Sequence, residues 1–256
     1  MLLRVNNVQK SYNGQPVLRD VTFTIQAGES VGLIGTSGSG KSTLSRCILG
    51  LETLDSGTLH LGGSSWQNAS RKETSSMKRR VQAVFQDSSD SFNPRWRLAD
   101  SILEPLRHFR MIEPSEEPTK LAHLCEIVQL PYTCMSSYPR ALSGGQKQRA
   151  AIARSLSINP QLVVLDEATT ALDTLTQHHI VEMLQSYRHD QSMAFLFISH
   201  DLSIVSRLCD RILVLSEGTI VDAFRTDELF DEARHPYTIA LRDAFVEKGR
   251  SLNGLG

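Results

Sequence analysis

The residues Gly35-Thr36-Ser37-Gly38-Ser39-Gly40-Lys41-Ser42-Thr43 spell G-x-x-x-x-G-K-[ST]. That spacing suits the holding of phosphate. Glycines let the backbone curl so that several N–H groups converge on phosphate oxygens. Lys41 adds a full positive charge for the β- and γ-phosphates, and Ser42 offers a hydroxyl to Mg²⁺. Asp166-Glu167 follows an apolar run. An aspartate there can hold Mg²⁺ directly or through water. A neighbouring glutamate can orient and deprotonate a water that attacks the γ-phosphate. The amide of Gln86 can reach Mg²⁺ or that water, and His200 can donate a hydrogen bond to the γ-phosphate. Taken singly, Gln86 and His200 are more often structural. Their shared placement at strand ends facing one phosphate site gives them meaning. Ser143-Gly144-Gly145, ahead of Gln146, opens a helix with free N–H groups and a positive dipole end. One phosphate loop already serves the chain's own nucleotide. A second anion-reading helix start therefore suggests a nucleotide held by a partner; the plainer alternative is an N-capped helix with a flexible entry.

These residues need elements to carry them. Val31 to Ile34 reads as a buried strand before the phosphate loop, with helical character from Leu44 to Leu51 after it. Strand-like alternation at Leu3, Val5 and Val8 and again at Val21, Phe23 and Ile25 flanks the turn signal Asn13-Gly14. This predicts an N-terminal antiparallel hairpin or small sheet. Tyr12 ends its first strand, where an aromatic face can stack on a purine. Thr58 to Leu61 is a short strand, and residues 64 to 80 are an irregular stretch with a helical piece. Val81 to Phe85 is a strand delivering Gln86. From Ser88 to Pro139 the spacing turns helical, at Leu98, Ile102, Leu103 and Leu106 and at Leu121, Leu124, Ile127, Val128 and Leu130. A helix over about Lys147 to Ile158 ends at Asn159-Pro160. Leu162 to Leu165, Ala194 to Ile198, Arg211 to Leu215 and Thr219 to Val221 are strands. The tail from Thr226 is mostly helical. Alternating strands and helices predict an α/β fold. With the phosphate loop, its parallel sheet resembles the core of a P-loop NTPase (RecA-like), joined by an N-terminal antiparallel β-subdomain and an inserted α-helical subdomain. Residues 1–87 and 159–225 form the catalytic core, 88–158 the helical subdomain and 226–256 a C-terminal helical tail.

Composition bounds the function. The 256 residues are 40% hydrophobic and 21% charged, with a net charge of −1. A broad nucleic-acid footprint normally shows as a basic domain, so no nucleic-acid partner is expected. The densest basic stretch, Arg71-Lys72 with Lys78-Arg79-Arg80, reads as a solvated face. Four cysteines with no C-x-x-C pair give no support to a zinc or iron–sulfur site. With no secretory leader, the thiols are expected to be reduced. His178 and His179 point about 100° apart on a helix and are read as surface. No apolar run is long enough to span a bilayer, so any transmembrane path belongs to another chain.

These parts in this order resemble the ATP-binding subunit of an ABC transporter, over nearly the whole chain. The resemblance assigns Gly35 to Ser42 as the phosphate loop, Gln86 as the glutamine loop, Leu142 to Gln146 as the signature and Leu162 to Asp166 as the Walker B strand. Glu167 becomes the catalytic base, Thr170 to Asp173 the D-loop, His200 the switch histidine and Tyr12 the adenine-stacking aromatic. ATP and Mg²⁺ are the implied ligands. The family works as a head-to-tail pair, each ATP lying between one subunit's phosphate loop and the other's signature. All motifs are intact, Glu167 and His200 included, which implies a competent ATPase rather than a regulatory binder. A soluble non-transport ABC ATPase of the repair or translation kind, with its long coiled coil or paired cassettes, is the more distant alternative. Phe85-Gln86-Asp87, Ser91-Phe92-Asn93-Pro94-Arg95 and His235-Pro236-Tyr237-Thr238 are similar to the peptide and nickel importer branch. Ser88 and Phe92 depart from its commonest pattern. Glu104-Pro105-Leu106-Arg107-His108 and the short tail are similar to the second nickel-importer ATPase subunit. The branch implies a sister ATPase subunit giving a heterodimer, two transmembrane permease subunits and an extracytoplasmic substrate-binding protein. It implies a peripheral place on the cytoplasmic face of the inner membrane. Nickel or a metal chelate is the expected cargo, with di- and oligopeptides as the alternative.

Overall fold

The computed structural model describes residues 1–86, 91–168 and 174–253. The chain falls into two compact units, Met1–Thr74 with Ala194–Gly256, and Ser75–Met193.

The first unit begins with β1 (Leu3–Tyr12) and β2 (Gln15–Ile25), paired antiparallel with Tyr12 opposite Gln15 and Leu3 opposite Ile25. Asn13 and Gly14 both take positive φ, 51° and 79°, as a tight hairpin turn of matching twist requires. β4 (Ser56–Leu61) lies on the other side of β1, and β5 (Ser64–Ser65) completes the order β2-β1-β4-β5. Alternation would fail after Val5. An irregularity there, with Asn7 at φ 45° and its N–H bonded to Thr22 Oγ1 at 2.8 Å, restores the inward phase at Val8. Leu3, Val5 and Val8 are all buried as a result.

β3 (Ser30–Ile34) leads into the phosphate loop and α1 (Lys41–Ile48). It pairs in parallel with both β8 (Ala194–Ile198) and β9 (Arg211–Ser216). β10 (Thr219–Arg225) adds antiparallel to β9. Every residue of β3 and β8 is buried, because both sheet faces are covered. α7 (Leu202–Leu208) crosses β3 so closely that a Cβ at Gly32 would overlap Cγ1 of Val205. A 3-10 turn at Thr226–Glu228 leads to α8 (Pro236–Asn253).

The division between the units falls within α2 (Arg71–Arg80), whose buried residue is Met77. The second unit pairs β6 (Val81–Phe85) in parallel with β7 (Leu162–Asp166), Phe85 opposite Asp166. Its helices are α3 (Leu98–His108), α4 (Glu117–Ile127), α5 (Gly144–Leu156) and α6 (Thr174–Gln191). Leu98, Ile102, Leu103 and Leu106 of α3 are buried, as are Leu121 and Leu124 of α4. Arg107 clamps Glu117 through two bonds of 2.7 Å, tying the two helices together.

Several boundaries differ from the sequence reading; α1, for instance, starts at Lys41 rather than Leu44. α5 starts at Gly144 rather than near Lys147, because a reciprocal cap satisfies the N–H groups of Ser143 and Gln146 and lets the two glycines join the helix. β10 runs on to Arg225, since an irregularity between Ile220 and Asp222 turns Phe224 inward. The irregular stretch from 64 to 80 contains β5 and the full length of α2. The D-loop residues Thr170 to Asp173, Asp87 and Ser88, and the side chains of His178 and His179, lie outside the described residues. No helix among the described residues is long and apolar enough to cross a membrane.

Candidate functional site

In the first unit the phosphate loop bridges β3 and α1. Gly38 and Gly40 take φ of 81° and 106°, a left-handed region that would strain any other residue. A Cβ at Gly40 would also stand 2.9 Å from the Val17 carbonyl oxygen. The curl is fixed from within, because Ser39 N–H donates to the Thr36 carbonyl at 3.2 Å. Lys41 is 7% exposed and reaches back across the loop. Its Nζ donates to the carbonyls of Gly35 and Thr36, both at 2.8 Å. Ser37 and Ser42 stand exposed, and Thr43 is half-buried. Ser39 Oγ is buried with no hydrogen-bond partner. An orphaned hydroxyl, a buried ammonium and a helix start on one loop fit a polyphosphate.

Magnesium fits the same place. Among the described residues no cluster of three or more His, Cys, Asp or Glu could hold a metal alone. Mg²⁺ bound through phosphate oxygens and water needs only one or two protein oxygens. Ser42 supplies one such oxygen beside the loop.

Tyr12 stands at the end of β1 with 38% of its surface exposed. Burial of its hydroxyl, then hydrogen bonding and proximity to Glu52, push its pKa up; hydrogen bonding to Thr43 opposes them. The ring is thus attached beside the residue that closes the phosphate loop. Lys10 Nζ lies 5.3 Å from the ring centroid, and Lys10 in turn pairs with Asp55 at 3.5 Å. His200 is exposed just beyond β8. It lines a cavity of about 620 Å³ together with Gly35, Thr36, Asp201, Leu241 and Phe245. The structure therefore brings His200 and the start of the phosphate loop to one cavity.

In the second unit β6 and β7 end side by side. Gln86 is exposed just after β6, and Asp166, 8% exposed, is the last residue of β7. Glu167 follows at φ 50°, a conformation that costs a non-glycine residue roughly 1–2 kcal/mol. Strain of this kind collects at functional positions. The next residue is held from α5, where the Gln148 side-chain amide donates to the Ala168 carbonyl. Gln148 is 1% exposed, and its Oε1 has no hydrogen-bond partner.

α5 opens with a reciprocal cap. Ser143 N–H donates to Gln146 Oε1 at 2.9 Å, and Gln146 N–H donates to Ser143 Oγ at 3.2 Å. Ser143 and Gly144 are exposed, and Gly145 is half-buried. A Cβ at Gly144 would meet nothing within 4 Å. Packing within the chain does not require glycine there, whereas close approach from outside would.

Sequence reasoning missed two contacts. Gln148 sits two residues past the signature, and only its place on the inner face of α5 hinted at burial. Tyr237 was noted as part of a motif, but its hydroxyl bonds to Thr36 across 201 residues of chain.

Comparison with known proteins narrows what these arrangements serve. The profile of the ABC transporter family matches residues 18–170. An oligopeptide transport ATP-binding protein, OppF of Lactococcus lactis subsp. lactis (strain IL1403), is 41% identical over 88% of this chain and 70% of its own. A nickel import ATP-binding protein, NikE of Rhodospirillum rubrum, is 40% identical over 96% of this chain and 91% of its own. Among solved structures, the dimeric ATP-binding cassette MJ0796, in a post-hydrolysis state bound to ADP and Pi, superposes with a TM-score of 0.82 at 26% identity. That match covers 88% of this chain and 99% of the other. The relatives separate neither peptide from nickel. With a family profile matched over residues 18–170 and relatives at 40% identity or more along most of its length, the chain belongs to the ABC transporter family as one of its ATP-hydrolysing subunits.

Proposed function

We propose that the chain energises import of nickel, or of a metal chelate, across the cytoplasmic membrane, and that its site residues act as follows. Tyr12 stacks on the adenine. The N–H groups of Gly35 to Thr43 surround the β- and γ-phosphates, and Lys41 moves its ammonium from the Gly35 and Thr36 carbonyls to those oxygens. Ser42, Gln86 and Asp166 would hold Mg²⁺. When bound, the ion neutralises charge that builds on the phosphate oxygens. Glu167 takes a proton from the attacking water. His200 donates a hydrogen bond to the γ-phosphate. Ser143, Gly144, Gly145 and Gln146, with Asp173, serve the nucleotide held by a second cassette.

The observation that carries this reading is Lys41, buried and folded onto its own loop's carbonyls at 2.8 Å. A cation held so has acceptors it can exchange for phosphate. The partners in this reading are a sister ATPase subunit forming a heterodimer, two transmembrane permeases and an extracytoplasmic substrate-binding protein. The chain works at the cytoplasmic face of the inner membrane.

The preference for nickel rests on Glu104-Pro105-Leu106-Arg107-His108. The oligopeptide reading is favoured by the OppF relative at 41% identity. Reconstitution decides between them. The chain, its permeases and its binding protein are placed in vesicles with ATP and Mg²⁺, and uptake of nickel and of a short peptide is measured. Nickel uptake is the expected result, and peptide uptake alone would reverse the assignment. Absence of Mg²⁺-dependent ATP cleavage in the assembled complex would remove the catalytic roles as well.

A further inference from the structure

The segment His235-Pro236-Tyr237-Thr238 has no part in the reaction above, yet it reaches the phosphate loop. Tyr237 Oη accepts the Thr36 backbone N–H at 3.0 Å and donates to Thr36 Oγ1 at 2.9 Å. Thr36 is also the residue whose carbonyl accepts Lys41 Nζ and the Ser39 N–H. One residue thus joins the C-terminal segment to the charge that meets phosphate.

The tyrosine is firmly mounted. Asp222 Oδ2, on β10, accepts from His235 N–H at 3.0 Å and from Thr238 Oγ1 at 2.8 Å. Tyr237 N–H donates to His235 Nδ1 at 3.2 Å. The Arg234 guanidinium lies 4.8 Å from the Phe224 ring centroid and 3.8 Å from Asp222. Alongside is the cavity of about 620 Å³ lined by Gly35, Thr36 and His200. Close packing therefore does not hold this flank of the loop, and hydrogen bonds take on that task.

We infer that Tyr237 is a positioning residue for the phosphate loop. Its hydroxyl fixes Thr36, so that the loop keeps its curl while Lys41 exchanges backbone carbonyls for phosphate. The inference rests on the ATPase reading. A residue acting this way lowers the reorganisation that nucleotide binding requires, so its removal weakens binding and leaves the chemical step alone.

The test uses the assembled complex. Tyr237→Phe keeps the ring and loses both bonds. KM for ATP is expected to rise about 3–10-fold, the worth of one to two partly exposed hydrogen bonds, with kcat within about twofold. Thr36→Val loses only the bond to Oγ1 and gives a smaller rise, while Thr36→Ser, which keeps both bonds, gives a lower KM than Thr36→Val. The double variant Thr36→Val/Tyr237→Phe matches Tyr237→Phe rather than the product of the two effects. A tyrosine that merely supported the fold would not produce that coupling. An unchanged KM in Tyr237→Phe, or effects that multiply independently, overturns the inference. Should Tyr237→Phe fail to assemble, equal KM values for Thr36→Val and Thr36→Ser overturn it instead. Wild-type complex that binds no ATP would sink the ATPase reading; wild-type binding with an indifferent Tyr237→Phe sinks only the clasp.

Discussion

Lys41 shows how a buried charge is prepared for a ligand. Two carbonyls at 2.8 Å supply the acceptors that water would otherwise provide. Alanine there leaves the carbonyls unpaired and the phosphates without a cation, so Lys41→Ala should lose nucleotide binding. Calorimetry with ATP checks this, and unchanged affinity would contradict it. Glu167 makes a different prediction. Glutamine keeps the shape and loses the proton acceptor, so Glu167→Gln should cut hydrolysis by about 10²–10⁴-fold while ATP still binds. Near-normal turnover would take the base role from Glu167. Cys47 and Cys125 are buried thiols, and burial pushes both up to about 11. At pH 8 each is then almost wholly thiol, and the thiolate is the form that reacts. Alkylation followed by mass spectrometry should leave both unmodified in the folded protein and modify them in denaturant.

At the scale of elements, tight contacts decide which substitutions are tolerated. α7 lies against the bare backbone of Gly32, so Gly32→Ala should cost about 1–3 kcal/mol by overpacking. Val205→Ala in the same chain should return part of it, measured by denaturant unfolding. The link between α3 and α4 is weaker, because Arg107 is 43% exposed. Hydrogen bonding to Arg107 is the main reason that the Glu117 carboxyl titrates below its ordinary value. A carboxyl depressed by folding stabilises above its unfolded pKa of about 4.3 and stops doing so as pH falls through the folded value. Glu117→Gln should therefore cost up to about 1 kcal/mol at neutral pH and almost nothing near pH 3. Elements were legible in the sequence where one physical signal dominated. Ala194 to Ile198 is a continuous apolar run and forms a strand over those residues. Gly144 and Gly145 suggest a loose entry, and only the reciprocal bonds of Ser143 and Gln146 turn them into the first helical turn. Asp222 hides the continuation of β10, because the irregularity that reverses its facing leaves no mark in the local pattern.

For the whole molecule, each proposed catalytic residue is a candidate visible in its own neighbourhood, because strand-end carboxylates and glycine loops are local patterns. Bonds such as Tyr237 to Thr36 are not, since nothing in either segment specifies a partner 201 residues away. In the proposed pair, the helix start at Ser143 to Gln146, open to approach from outside, would serve the other cassette's nucleotide. Glu167→Gln should hold the chain to its sister subunit, so size-exclusion chromatography of the two together with ATP should show their summed mass, and the Gly145→Glu form of the same variant should not. The arrangement around β3 has a further consequence for biosynthesis. This strand is made early, yet both neighbours that flank it, β8 and β9, begin at Ala194 and Arg211. A ribosome adding roughly 5–20 residues per second leaves Val31 to Ile34 waiting many seconds for partners. During that interval an apolar segment built for full burial stands uncovered, a natural target for chaperones. Stalled nascent chains released before residue 194 should thus be cut by protease near β3, and nucleotide should give them no protection.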